Sequence, residues 1–209
     1  SWSLGGNEFC PPYPYCITQE LLGGQDTSEC EETTLCNEEE VELWGWCYNI
    51  EETTILETTS PYIDEQVIPS EIGQLINLQE LRISCNQTIG SGLVGEIPSE
   101  IGNLINLEEL IIDGNNYLTG HIPPEIGNLE NLKVLELQYN QLSGEIPSEI
   151  SNLVNLVRLY LHGNQLSGEI LSHLTNIISL EQVHLYHNEF SEEIPSEIEN
   201  LTNLDYLGL

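Results

Sequence analysis

Tyrosines and histidines crowd the last third of this chain. Three of its five histidines, His162, His184 and His187, are interleaved with Tyr139, Tyr160 and Tyr186, and Arg158 lies among them. Rings of this kind stack on sugars or anchor a protein partner, because Tyr and Arg supply much of the energy of interfaces. Imidazoles also ligate metals. These histidines lack the i, i+4 spacing that sets two imidazoles on one helix face, so the chemistry read here is binding, with no metal site.

Carboxylates are the second abundant group. The chain has 35 Asp and Glu against three cations, Arg82, Lys133 and Arg158, for a formal net charge of −32. Phosphate backbones need clustered Lys and Arg, so nucleic acid is excluded as a partner. An anionic membrane surface would repel this chain too. Paired glutamates could in principle do acid–base work, but a glycosidase pair needs two carboxylates in distinct environments within a cleft. Here they recur in register, as Glu96, Glu145, Glu169 and Glu193 with His121, and as Glu71, Glu100, Glu125, Glu149 and Glu197 with His173. No nucleophile-elbow, phosphate-loop or zinc-protease motif accompanies them. No catalytic residue is expected, and no enzyme.

The six cysteines, Cys10, Cys16, Cys30, Cys36, Cys47 and Cys85, are even in number and concentrated at one end, as in a disulfide framework of an extracellular protein. Zinc is disfavoured, because residues 1–120 contain neither a CxxC nor a histidine. The pairing stays open. Local Cys10/Cys16 and Cys30/Cys36 loops are one option, with Cys85 reaching back to the N-terminal region, for example to Cys47. The chain begins at Ser1 without a signal peptide, which fits a processed mature form. No apolar run approaches the ~18 residues that span a bilayer.

What must position these groups is a repeat. The stretch Leu129–Asn152, LENLKVLELQYNQLSGEIPSEISN, recurs along the chain. The Ile of its I-P element falls at 68, 97, 122, 146, 170 and 194, and the Leu of its N/S-L element at 78, 107, 132, 156, 180 and 204. One such unit cannot bury its own leucines, so units must stack. Three regions follow. Residues 1–35 are irregular and rich in Cys, Pro and Gly; residues 36–60 hold an N-terminal cap and first strand, with Trp44 and Trp46 expected to seal the first turn. Residues 61–209 form a solenoid of about six turns without a C-terminal cap.

The run LWGWCYN, followed by repeats of the form NLxxLxLxxNxLSGEIPSEIGN, resembles extracellular plant-type leucine-rich-repeat proteins. These include receptor ectodomains, polygalacturonase-inhibiting proteins and a related ice-binding protein; similar repeats occur in microbial surface proteins. The resemblance covers roughly residues 40–209, and it implies an α/β repeat solenoid: a right-handed superhelix with a parallel concave sheet and a disulfide-rich N-terminal cap. It also implies a non-enzymatic module that binds proteins, peptides or glycans.

Period-two alternation turns the residues between the strand leucines onto the concave face. One column runs Arg82, Ile111, Glu136, Tyr160, His184 and Gly208; the next runs Ser84, Asp113, Gln138, His162 and Tyr186. A third holds Cys85, Gly114, Tyr139, Gly163 and His187. The candidate ligand-binding residues are Glu136, Gln138, Tyr139, Arg158, Tyr160, His162, His184, Tyr186 and His187. Asn86, Asn115 or Asn116, Asn140, Asn164 and Asn188 hold one position in successive turns, where an inward amide can satisfy turn backbone groups. Asn200-Leu-Thr is then a better glycan acceptor than Asn86-Gln-Thr. Like charges about 5 Å apart repel by about 1 kcal/mol per neighbour even in water. The glutamate columns therefore favour a saline, divalent-rich or acidic setting, with weakly bound divalent cations and no dedicated cofactor. Two functions are in view. One is recognition of a protein or glycan through the concave face. The other is head-to-tail assembly into extracellular filaments through Leu204, Leu207 and Leu209 of the last, uncapped turn. An ice-binding face would need a repeating Thr column, and Thr53, Thr54, Thr58 and Thr59 do not repeat.

Overall fold

A computed structural model describes residues 36–59, 66–84, 92–114, 117–191 and 193–209. Cys10, Cys16, Cys30, Cys85, Asn86, Asn115 and Asn116, and the whole region 1–35, lie outside the described residues.

The chain enters through an antiparallel hairpin, β1 (Glu40–Leu43) and β2 (Trp46–Asn49). Its two turn residues, Trp44 and Gly45, both have positive φ, 53° and 82°, which matches the twist of the flanking strands. Cys36 and Cys47 close this hairpin as a disulfide with their Cα atoms 5.4 Å apart. That excludes both options for these thiols, the long-range bridge from Cys85 to Cys47 and the local loop between Cys30 and Cys36. The hairpin brings Cys47 back beside Cys36, a proximity that sequence spacing does not encode. Trp44 is buried and its indole Nε1 donates to the Val67 carbonyl at 2.8 Å, so it seals the first turn. Trp46 does not; it is 46% exposed.

Two ranks of strands follow. β3 (Ile55–Thr59), β4 (Glu80–Ser84), β6 (Glu109–Asp113), β8 (Val134–Glu136), β10 (Arg158–Tyr160), β12 (Gln182–His184) and β14 (Tyr206–Gly208) form one seven-stranded parallel sheet in sequence order. Its register stacks Leu56, Leu81, Leu110, Leu135, Leu159, Val183 and Leu207. The second rank consists of short strands from the L-x-G-x-I-P element: β5 (Val94–Gly95), β7 (Tyr117–Leu118), β9 (Ser143–Glu145), β11 (Gln165–Gly168) and β13 (Glu189–Phe190). These pair as β5–β7 and as β9–β11–β13. Between the ranks lie single 3-10 turns such as Ser70–Gln74 and Ser99–Asn103, replaced in one repeat by an α-helical turn, Leu171–Leu174. The inward leucines and isoleucines of these elements form one continuous core. The chain is thus a leucine-rich-repeat solenoid with a parallel sheet and an N-terminal disulfide.

Two hydrogen-bond ladders hold the turns in register. Asn164 Nδ2 donates to Leu137 O and Leu161 O, both at 2.9 Å, while its Oδ1 accepts from Leu142 N at 3.1 Å. Asn188 repeats the pattern with Leu161 O, Leu185 O and Leu166 N, and Asn140 reaches Ile112 O and Leu137 O. This is the expected inward ladder. A second ladder runs along the N-L elements. Asn77, Asn106, Asn131, Asn155 and Asn203 each donate to a carbonyl of the preceding turn at 2.8–2.9 Å, and Ser179 takes the same role toward Val154 O. The Asn of the N-L element is therefore a strut between turns.

Glycines in the E-I-G element have a different task. A Cβ at Gly102 would lie 2.5 Å from Glu125 O, and one at Gly127 2.6 Å from Glu149 O. Only glycine lets these turns approach so closely.

Candidate functional site

The exposed face of the seven-stranded sheet divides into two chemically distinct halves. Its early strands carry Glu57, Glu80, Glu109 and Asp113 with one cation, Arg82, which is held between Glu109 at 2.5 Å and Glu80 at 3.1 Å. Lys133 pairs with Glu108 at 2.5 Å. Arg158 makes no ion pair within 4 Å among the described residues, although its charge is felt by Glu136.

The later strands carry aromatic and imidazole rings in contact with one another. Tyr160 and His184 are register partners on β10 and β12, their ring centroids 4.3 Å apart. His162 lies 4.5 Å from Tyr186 in a stacked pair, 26° between planes, and Tyr139 meets His162 edge-on at 4.9 Å. Tyr186 meets His187 edge-on at 5.2 Å. The two rows join through His162 and His184 at 5.6 Å. Tyr206 on β14 extends the array, stacking on His184 at 4.4 Å. All six predicted rings are therefore brought together, and Tyr206 is a seventh that column counting passed over. It occupies the position just ahead of the inward strand leucine, in register with Arg158 and Gln182. The same alternation would have found it.

Backbone geometry explains how the rings fit. Tyr139 and His187 adopt positive φ of 56° and 58°, as do the glycines in the same column, Gly114 at 74° and Gly163 at 71°. Large and glycine residues alternate in that column, and the Tyr139 ring folds over Gly163. The strand-like ladder also continues past the strand ends, with Leu137 N bonded to Tyr160 O and Tyr139 N to His162 O. That keeps Gln138, His162 and Tyr186 on the sheet face.

Exposure varies within the predicted set. Tyr139 and His187 are exposed, whereas Gln138 and His162 are buried, at 8% and 7%. The Tyr160 hydroxyl donates to Gln182 Oε1. Gln138 Nε2 donates to Asp113 Oδ2 at 3.3 Å, and Ser84 Oγ donates to Asp113 Oδ1 at 2.8 Å, so a polar row runs along the inner column. Burial holds His162 below the usual imidazole range, with His184 and His187 adding to the effect; burial also lowers His184. Burial raises the Glu136 carboxyl, opposed by Arg158 and the Gln138 amide and aided by Asp113 and Glu109.

The glutamate columns lie elsewhere. Glu71, Glu100, Glu149 and Glu197 sit in the first turns of 3-10 segments, each accepting a hydrogen bond from the preceding serine. In the other column the side chains lie over glycines of the next turn. A Cβ at Gly120 would be 2.7 Å from the Glu96 carboxyl, and one at Gly144 2.3 Å from His121 Nδ1, which itself bonds Ser143 O at 2.9 Å. Among the described residues no group of three or more His, Cys, Asp or Glu is placed to hold a metal ion, and no helix is long and apolar enough to cross a membrane.

Comparison with known proteins agrees with this geometry. A family model described as a leucine-rich repeat region matches residues 114–209. Among solved structures, a chain of the Arabidopsis thaliana BIR3–SERK2 complex is 34% identical, covering 66% of this chain and 69% of that one, with a TM-score of 0.54. The Arabidopsis receptor kinase HAESA, solved with the peptide hormone IDA and the co-receptor SERK1, is 33% identical over 75% of this chain and 26% of its own, with a TM-score of 0.64. A plant ice-binding protein is 32% identical over 68% of this chain and 44% of its own, with a TM-score of 0.60. No curated protein matches the chain significantly. The chain spans 20% of the PEPR1 chain and 24% of the TDR receptor chain that it also matches.

Proposed function

From the premise that this chain belongs to the extracellular plant-type leucine-rich-repeat family, we propose that it is a non-enzymatic recognition module that binds an extended protein segment or peptide across its concave sheet. The supporting observation is the unbroken array of seven rings from Tyr139 to Tyr206, carried by consecutive turns on one face. Tyrosines give large, rigid contact area at small conformational cost, which is what an anchor surface needs. An extended segment lying across the strands would advance about 3.4 Å per residue against about 4.8 Å per turn, so about three residues would cover two turns. Peptide recognition by HAESA supports the same reading. Glycans remain the second ligand class that such rings serve.

The test uses a displayed peptide library selected on the wild-type protein. Enriched peptides are then titrated against Tyr160→Ala and Tyr186→Ala, with circular dichroism to verify the fold. Each substitution is expected to weaken binding by about tenfold or more. Undiminished binding by both folded variants would remove the ring array from the interface, and a sugar-only response on a glycan array would move the ligand class.

Head-to-tail assembly has less behind it. Leu204 and Leu207 are half-buried and Leu209 is exposed, but any following repeat would cover this same edge, so it carries no weight for self-association.

A further inference from the structure

The inner column of the sheet contains an arrangement that the ring array does not use. Asp113, Gln138 and His162 follow one another on successive turns, with Glu136 beside Gln138 and the Tyr139 ring against His162. Gln138 and His162 are each more than nine-tenths buried, yet Gln138 Oε1 and His162 Nδ1 have no hydrogen-bond partner. Buried polar atoms are ordinarily paired, and each unpaired one costs stability.

The geometry points to a subsite for a basic side chain, an arginine above all, formed by Asp113, Glu136, Gln138 and His162 under the ring of Tyr139. It rests on the concave-face reading and names the ligand chemistry there. Three features converge. The amide oxygen can only accept, and with the imidazole proton on Nε2 the Nδ1 of His162 accepts as well, so in that tautomer both call for donors. Two carboxylates flank them and call for positive charge. A guanidinium supplies five donors and a charge in one plane, and it stacks favourably on a tyrosine face. The environment agrees. Burial keeps His162 neutral, and a cation would relieve the cost that burial and nearby acids impose on the Glu136 carboxylate. Of the chain's own cations, Arg82 is held by Glu80 and Glu109 on the earlier strands, and Arg158 acts on Glu136 only at a distance, with no ion pair within 4 Å among the described residues. Tyr139 is 55% exposed, so its ring can swing aside on the fast timescale of surface rotamers to admit the ligand.

The probe is a hexapeptide of three Ser-Arg pairs, compared by calorimetry with the same peptide carrying neutral citrulline, at about 0.15 M salt to screen long-range attraction. The arginine peptide is expected to bind about tenfold tighter. The double variant Asp113→Asn, Glu136→Gln should abolish that preference. The double variant Glu149→Gln, Glu197→Gln, which removes the same charge from exposed positions outside the sheet, should leave it within about twofold. Equal loss in both double variants would show diffuse attraction to an acidic protein and overturn the subsite. Equal binding of the two peptides by the wild type would also overturn it, without relying on any variant. Should that happen while Tyr160→Ala and Tyr186→Ala still lose library-selected peptides, the concave-face reading survives and only the basic subsite falls.

Discussion

The ring of Tyr139 occupies the space that a side chain at Gly163 would need. A Cβ on Gly163 would lie 2.8 Å from Tyr139 Cδ1, and Gly163 itself has a φ of 71°. Two residues far apart in sequence are thus fitted to one another across adjacent turns, and the Tyr139 ring also meets His162 edge-on.

Gly163→Ala should therefore act twice. The left-handed backbone disfavours any Cβ by about 1–2 kcal/mol, and the added methyl must push Tyr139 off its seat. Urea denaturation is expected to show a loss of about 2 kcal/mol, and tyrosine fluorescence or ring NMR shifts should report a changed Tyr139 environment. An unchanged melt with unchanged ring signals would contradict the packing.

The two asparagine ladders should respond unequally. Asn164→Ala removes three hydrogen bonds at a half-buried site; Leu137 O and Leu161 O keep the bonds from Asn140 and Asn188, but Leu142 N loses its acceptor. A cost of about 3 kcal/mol is expected. Asn131→Ala removes a single bond, to Ile105 O, at an exposed site where water can substitute; about 0.5–1 kcal/mol is expected. Thermal or denaturant unfolding of both variants gives the comparison, and equal costs would mean that the inward position is not special.

Acid should weaken the ring array. His162 and His184 have folded-state pKa values below the unfolded value. The unfolded chain then binds more protons, so the stability they contribute is present above pH ~6.5 and is lost as pH falls through their folded values. Glu136 acts in the opposite sense. Its raised pKa means a contribution fully present below pH ~4.5 and lost as pH rises through the folded value. Because many other carboxylates titrate nearby, the test is a difference. His162→Gln should lose less stability than the wild type between about pH 7 and pH 5, measured by urea melts. Parallel curves would assign the acid response to other groups.

The solenoid and its inward leucines were legible in the sequence because each repeat states the same local rule. The step between I-P elements sets the turn, and alternation within L-x-L sets the faces. That places Tyr160 with His184 and His162 with Tyr186, and it places Asn140, Asn164 and Asn188 in one ladder. What tertiary structure decided is how unlike residues meet across turns. Stacking alone determines that Tyr139 lies over Gly163 and that the N-L asparagines brace the preceding turn. Hairpin closure brought Cys47 to Cys36 and left Trp46 in solvent while Trp44 was buried. A repeating pattern specifies each turn through hydrophobic burial, which depends on residue type and period. The directions of hydrogen bonds, disulfides and ring contacts depend instead on the distance between particular atoms, and only the packed chain fixes that distance.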